Sequence, residues 1–277
     1  MATALVKRRT NGIESFILKQ DLVEVLKPLF RIFSPSYEEA DMSDYVFDFL
    51  TDCGFEVQKD SMGNIMAHRG ELKDIPLLNA HLDTCQKESD KEHLHKVDYN
   101  EAKDCFQLEG VQIGCDDKAG IGIILCLAKF TDLSFKVLLT VQEEEGRKGV
   151  QHIPGYFFQN VCWAFSLDNA GSTEIIIQCL DKKSCRSQQF VELLKKIGRS
   201  QGVPFEVHKG TIADIYHIAN HSPSVNISVG YYNWHRENDY LIVEETYKIC
   251  LVIKECLEIK YEFMSTLKDK IYEVSVE

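Results

Sequence analysis

The chain has 277 residues, of which 44% are hydrophobic and 27% charged, a length and balance that suit one large α/β domain or two small ones and exclude general disorder. Its formal net charge of -12 excludes an extended phosphate-binding surface, which needs concentrated Lys and Arg; the excess of carboxylates is compatible with cation ligation. Ten cysteines are scattered without a C-x-x-C pair, several of them (Cys126, Cys162, Cys250, Cys256) in apolar stretches, and read as reduced thiols rather than as a disulfide framework, a thiol-rich zinc ribbon or a thioredoxin-type redox pair.

Lys7, Arg8 and Arg9 have no apolar core behind them, so residues 1–18 read as an N-terminal extension and not a secretory signal. The longest apolar run, 121–128, is too short to span a bilayer. The expected setting is the cytoplasm. Residues 19–277 are expected to form a single domain. Leu22, Val25, Leu26, Leu29 and Phe30 follow helical spacing and predict an amphipathic helix over 19–33, broken by Ser34-Pro35-Ser36; a second helix is predicted over 38–52, stopped near Gly54. Residues 55–59 and 65–68 predict a hairpin around Met62-Gly63-Asn64.

Pro76 marks the start of a buried strand over 77–80 whose tip carries His81 and Asp83; side chains two apart share one side of an extended chain. Residues 86–104 read as a polar loop or short hairpin, with His93 and His95 as exposed histidines. Gly114 then opens a helix that runs to about Phe130 with Asp116 and Asp117 at its start, where helix capping is an alternative role for either. The strand 135–141 ends in Glu143-Glu144-Glu145, three carboxylates that repel one another and are tolerated in water or beside a cation. The strand 161–167 ends at Asp168. Strands over 174–180, 205–208 and 224–229 and helices over 188–196 and 243–260 complete the pattern, the strand 224–229 leading through Gly230 to His235.

Alternating strands and helices predict an α/β fold with a mostly parallel sheet and helices on both faces. In such sheets ligands gather beyond the carboxyl ends of the strands. His81, Glu143, Glu144 and Asp168 all fall at such ends, with His235 just past another. Two other patterns fail their structural requirements. Gly198-Arg199-Ser200-Gln201-Gly202 matches a nucleophile elbow in sequence but follows a helix instead of a strand, so Gly198 reads as a helix stop. His217 and His221 have zinc-protease spacing, yet position 218 is Ile where that motif needs Glu.

The remaining constellation is His81, Asp83, Asp116, Glu143, Glu144, Asp168 and His235. Mixed imidazole and carboxylate donors suit zinc, manganese or cobalt, and the absence of paired thiolates favours a catalytic over a structural site. Two divalent ions about 3.5–4 Å apart could share one carboxylate, leaving another as base.

The segments Asn79-Ala80-His81-Leu82-Asp83, Gly114-Cys115-Asp116-Asp117-Lys118-Ala119-Gly120, Gln142-Glu143-Glu144-Glu145-Gly146, Leu167-Asp168-Asn169-Ala170-Gly171 and 226–235 resemble, in this order, the metal-site motifs of the co-catalytic zinc exopeptidases. Peptidase T and the glutamyl-aminopeptidase group are the most similar in pattern. Ser34-Pro35-Ser36-Tyr37-Glu38 and Asp60-Ser61-Met62-Gly63-Asn64 extend the resemblance to about residues 20–250. It implies a three-layer sandwich with a mostly parallel, mixed central sheet flanked by helices. It also implies that His81, Asp116 and Asp168 hold one metal and Asp116, Glu144 and His235 the other, with Glu143 as general base and Asp83 orienting His81. Asp214 falls in a segment near the family's site and reads either as a supporting residue or as a surface helix cap.

One departure from that family stands out. Its peptidase T branch carries an inserted lid or dimerisation domain, and the segment between Asp168 and His235 is too short for core elements plus a domain that takes about 50 residues or more. No lid is expected, and the oligomeric state stays open. The expected function is that of a metal-dependent exopeptidase, an aminopeptidase acting on small peptides. A small-amide hydrolase acting on acylated amino acids and a non-catalytic protein of the same fold are the alternatives.

Overall fold

Seven consecutive buried residues, Ile75–His81, form the strand on which the sheet is centred. The structure, a computed structural model, describes residues 17–185, 187–210 and 212–259; apart from Ile17 and Leu18, the expected N-terminal extension lies outside them. The helices are α1 Lys19–Leu29, α2 Ala40–Asp52, α3 Glu88–Lys91, α4 Cys115–Phe130, α5 Gln188–Ser200, α6 Ile215–Ile218 and α7 Val243–Glu258. The strands are β1 Glu56–Lys59, β2 Ile65–Arg69, β3 Ile75–His81, β4 Tyr99–Asn100, β5 Cys105–Gln107, β6 Phe135–Thr140, β7 Val161–Asn169, β8 Glu174–Ile176, β9 Gln178–Cys179, β10 Lys182–Lys183, β11 Glu206–His208, β12 Ser224–Ser228, β13 Tyr231–Tyr232 and β14 Tyr240–Ile242.

The main sheet has eight strands in the order β1-β2-β6-β3-β7-β12-β8-β11. Its four central strands are mutually parallel, while β1-β2, β2-β6 and β12-β8 are antiparallel. The mostly parallel mixed sheet is therefore present, with antiparallel pairs toward the edges. Alternation along the strands divides the core. Leu78, Ala80, Val137, Leu139 and Phe165 pack with α1, α4 and α7 on one face, and Leu77, Leu138 and Ala164 pack with Val150, Ile153, Phe157, Phe158 and Ile218 on the other. That second face is covered by two short 3-10 turns and α6, a thinner layer than full helices on both faces would give. A second, antiparallel sheet, β13-β14-β5-β4, is an element the sequence pattern did not suggest.

Several boundaries move for identifiable reasons. β3 begins at Ile75, before Pro76, and its register against β7 slips between Ile75 and Leu77; a residue without an N–H cannot continue a regular ladder there. Residues 86–104 contain α3, a 3-10 turn and β4, which pairs with β5. α5 runs through Gly198 to Ser200. A Cβ on Gly198 would meet the Phe205 ring at 2.4 Å, so this glycine permits close packing, and Gly202, with φ +76°, lies at the turn beyond the helix. His221 stacks on Phe158 at 4.3 Å, which gives this histidine a packing role. The segment between Asp168 and His235 supplies β8, β11 and β12 to the main sheet and α5 to the helical layer.

Candidate metal centre

His81 is the last residue of β3 and shares a strand face with Leu77 and Asn79. Beneath it lies a buried polar floor. Ser166 Oγ donates to Asn79 Oδ1 (2.8 Å), Asn79 Nδ2 donates to Asp214 Oδ2 (3.4 Å), and the Thr140 hydroxyl also donates to Asp214. Asp214 is therefore a buried supporting residue; it stands at the N-terminus of α6 but makes no side-chain cap. The imidazole is oriented by a contact of 2.9 Å between Nδ1 and the Asp83 backbone carbonyl, nearer than the Asp83 carboxylate at 3.5 Å. Nε2 is left facing Asp116 Oδ1 (3.1 Å) and Asp168 Oδ1 (3.6 Å).

The Asp83 side chain has further work. It accepts the backbone N–H groups of Glu143 (2.9 Å) and Glu144 (3.1 Å) and the Ser36 hydroxyl (2.7 Å), joining the tips of β3 and β6. Burial would raise its pKa, but the neighbouring His81 and these donors hold it below the usual value.

Asp116 is presented by an unusual helix start. Asp239, buried, accepts the N–H groups of Ile113, Gly114 and Cys115 at 2.6–2.9 Å. Asp116 and Asp117 depart from helical dihedrals. The two aspartates then divide the roles left open by the sequence. Asp117 takes the capping role, accepting Gly120 N–H (3.1 Å) and also His81 N–H (3.2 Å). Asp116 offers one oxygen to each histidine, Oδ1 to His81 and Oδ2 to His235 Nε2 at 3.2 Å. His235 Nε2 also lies 2.7 Å from Glu144 Oε1, without the alignment of a hydrogen bond.

All seven sequence-selected residues thus meet beyond the carboxyl ends of the central strands. His81, Asp116 and Asp168 form one compact donor group. His81, Asp116, Glu143, Glu144, Asp168 and His235 line one cavity of about 500 Å³, with Tyr232, Trp234 and Ile212 at its rim. Burial, reinforced by repulsion from the like charge of Asp168, pushes Glu143 up to about 10, and burial pushes Asp168 up to about 7. Its close neighbours Asp116, Cys85 and Glu144 push His235 up to about 12. Glu143 Oε1, Glu144 Oε1 and Asp214 Oδ1 are buried without hydrogen-bond partners. Crowded, desolvated carboxyls are driven to keep their protons when no cation is beside them, and a divalent cation would relieve that repulsion; the carboxylate and imidazole donor set fits such ions.

Three contributors carry no assigned role in the sequence, although Ser36 lies in a segment that extends the resemblance. Ser36 and Asp239 act on partners distant in the chain, so no local spacing reveals them. Cys85 did leave a trace, since residues 81, 83 and 85 share the i, i+2, i+4 spacing of one side of an extended segment. Its sulfur joins Glu144 and His235 in a second donor group whose atoms all lie within 4.8 Å of one another.

No family model matches the chain. It is 30% identical over 155 residues to the cytosol non-specific dipeptidase of Escherichia coli (strain K12), covering 50% of this chain and 31% of that protein. Aminopeptidase PepT from Bacillus cereus ATCC 10987 superposes with a TM-score of 0.73 at 16% identity, over 86% of this chain and 97% of that one. The fold is that of a peptidase catalytic domain. The TET aminopeptidase from the marine sediment archaeon Thaumarchaeota archaeon SCGC AB-539-E09 shares this peptidase fold, with a TM-score of 0.70 at 13% identity, over 90% of this chain and 99% of that one. These relatives are consistent with the co-catalytic zinc exopeptidase superfamily that the motifs resemble. The chain spans less than a third of the length of the curated dipeptidase it matches.

Proposed function

We propose that the chain is a metal-dependent exopeptidase, an aminopeptidase hydrolysing short peptides, organised as one catalytic domain without a lid. The observation that carries this reading is Asp116 placed between His81 and His235, with the unpartnered oxygen of Glu143 in the same cavity. In this reading His81, Asp116 and Asp168 would hold one divalent ion and Asp116, Glu144 and His235 the other; zinc suits the donors, with manganese or cobalt as alternatives. The ions would supply a water acidified from about 15.7 toward roughly 7 and positive charge for the tetrahedral oxyanion.

The protein's own residues do the rest. Glu143 accepts the water proton at its carboxylate and delivers it to the amine nitrogen as the peptide C–N bond breaks, the hydroxyl remaining on the carbonyl carbon. Asp83, through the amides of Glu143 and Glu144, keeps that carboxylate in place. Tyr232, Trp234 and Ile212 offer an apolar rim for a substrate side chain, and Glu174, lining the same cavity, offers a partner for a free ammonium terminus. Among the described residues no helix is long and apolar enough to cross a membrane. The proposed setting is the cytoplasm, with a small peptide as partner and no nucleic acid.

The test is removal of metal by a chelator, then re-addition of Zn(II), Mn(II) or Co(II) singly, against di- and tripeptides with free and blocked N-termini. Activity should disappear and return, on free N-termini only. Faster cleavage of acylated amino acids would replace the peptidase reading by the small-amide one, and a protein that binds no divalent metal would refute both.

A further inference from the structure

We propose that Cys85 is a sulfur ligand at the cation position formed by Glu144, His235 and the shared Asp116, and that it biases this position toward thiophilic ions. The proposal rests on the metal-dependent reading above and adds a donor that reading does not use.

Three observations carry it. The Cys85 sulfur, a Glu144 oxygen and a His235 ring nitrogen lie within 4.8 Å of one another. A tetrahedral ion with Zn–S of about 2.3 Å and Zn–N or Zn–O of about 2.0–2.2 Å holds its ligand atoms roughly 3.5 Å apart, so a small contraction closes the group. Glu144 Oε1 is sealed from solvent and faces His235 Nε2 at 2.7 Å without the alignment of a hydrogen bond, and Glu143, 8% exposed, brings an unpartnered oxygen to the same cavity. The backbone around Cys85 is also fixed. Thr84 bridges to Pro35 and donates to the Ser34 carbonyl (3.2 Å), while Gln86 Nε2 donates to the Gln112 carbonyl (3.1 Å). Thr84 and Gln86 on either side are buried, and the Cys85 sulfur lies beside His235 and Glu144.

The two cation positions then differ in kind. The His81, Asp116 and Asp168 group holds nitrogen and oxygen donors, which suit manganese as well as zinc, whereas a thiolate selects softer ions.

The experiment uses the full chain stripped of metal, as wild type, Cys85→Ser and Cys85→Ala, titrated with Co(II) alone and separately with Cd(II) and Mn(II). Wild type should develop a near-ultraviolet sulfur-to-cobalt charge-transfer band together with the visible ligand-field bands of bound cobalt. Both variants should lose the charge-transfer band and keep the visible bands, and their Cd(II) affinity should fall by at least about 10-fold, with Mn(II) affinity unchanged. Visible bands in wild type without a charge-transfer band, or a charge-transfer band that survives in both variants, would overturn the assignment of Cys85 and leave the metal site standing. Absence of every cobalt band in wild type would overturn the metal-dependent reading itself.

Discussion

Asp83 Oδ1 accepts the backbone N–H of Glu143 at 2.9 Å, so the residue expected to orient the histidine of one strand tip also anchors the proposed base on the next. The imidazole of His81 has a nearer partner, the Asp83 carbonyl. Orientation of the histidine therefore rests largely on backbone, and the Asp83 carboxylate is free to brace the Glu143-Glu144 turn.

This division of labour predicts the effect of Asp83→Ala. The histidine contact to the carbonyl survives, but two N–H groups lose their acceptor. Turnover should fall by about 10- to 100-fold, with metal affinity reduced by no more than about 10-fold, as read from steady-state kinetics beside a metal titration. A folded variant that loses all its metal would move Asp83 among the ligands.

Glu143→Gln keeps the shape of the side chain and removes its ability to take a proton. Activity should drop by about 10²–10⁴-fold while metal uptake stays at the wild-type level. Hydrolysis at an unchanged rate would falsify the role given to this residue.

Among the described residues Asp116 is the side chain that contacts both histidines, and that position sets a pattern of stoichiometries. His81→Ala and His235→Ala should each lower the bound metal by about one ion per chain, and Asp116→Asn should weaken both positions together. Elemental analysis after equilibrium dialysis reads the ratio. Retention of two ions in Asp116→Asn would rule out the shared carboxylate.

What was legible in the sequence followed local physics. The apolar runs over 135–141 and 161–167 and the helical spacing of Leu22, Val25, Leu26 and Leu29 correspond to β6, β7 and α1, because an uninterrupted run marks a strand buried on both faces and a helical period marks a helix buried on one. The assembly of His81, Glu143, Glu144 and Asp168 follows from strand ends on one edge of a parallel sheet. Less visible was everything decided by contacts across the chain. Asp116 and Asp117 are adjacent and chemically identical, and only the partners His235 and Gly120 separate ligand-like from capping behaviour. Gly198 looks like a helix stop until Phe205 is packed against it. Cys85 has no paired thiol to mark it, and its companions, a carboxylate and an imidazole, come from distant parts of the chain.

Gly120 links the fold to the site and gives a stability test independent of metal. It lies in the first regular turn of α4, where a Cβ would stand 2.3 Å from the Leu167 carbonyl oxygen and 2.5 Å from Asp117 Oδ1. Gly120→Ala, favourable by helix propensity alone, must here push α4 away from β7 and displace the carboxylate that caps the helix and holds His81 N–H. Overpacking together with a weakened cap should cost about 2–4 kcal/mol, measured as a shift in the urea unfolding curve, and the variant should bind metal more weakly as Asp117 moves. Gly155→Ala is the control: a Cβ there meets nothing within 4 Å, and stability should change by less than about 0.5 kcal/mol. Equal stability of the two variants would show that α4 can move away from Leu167 without penalty, and the tight seating of Asp116 beside β7 would then need another cause.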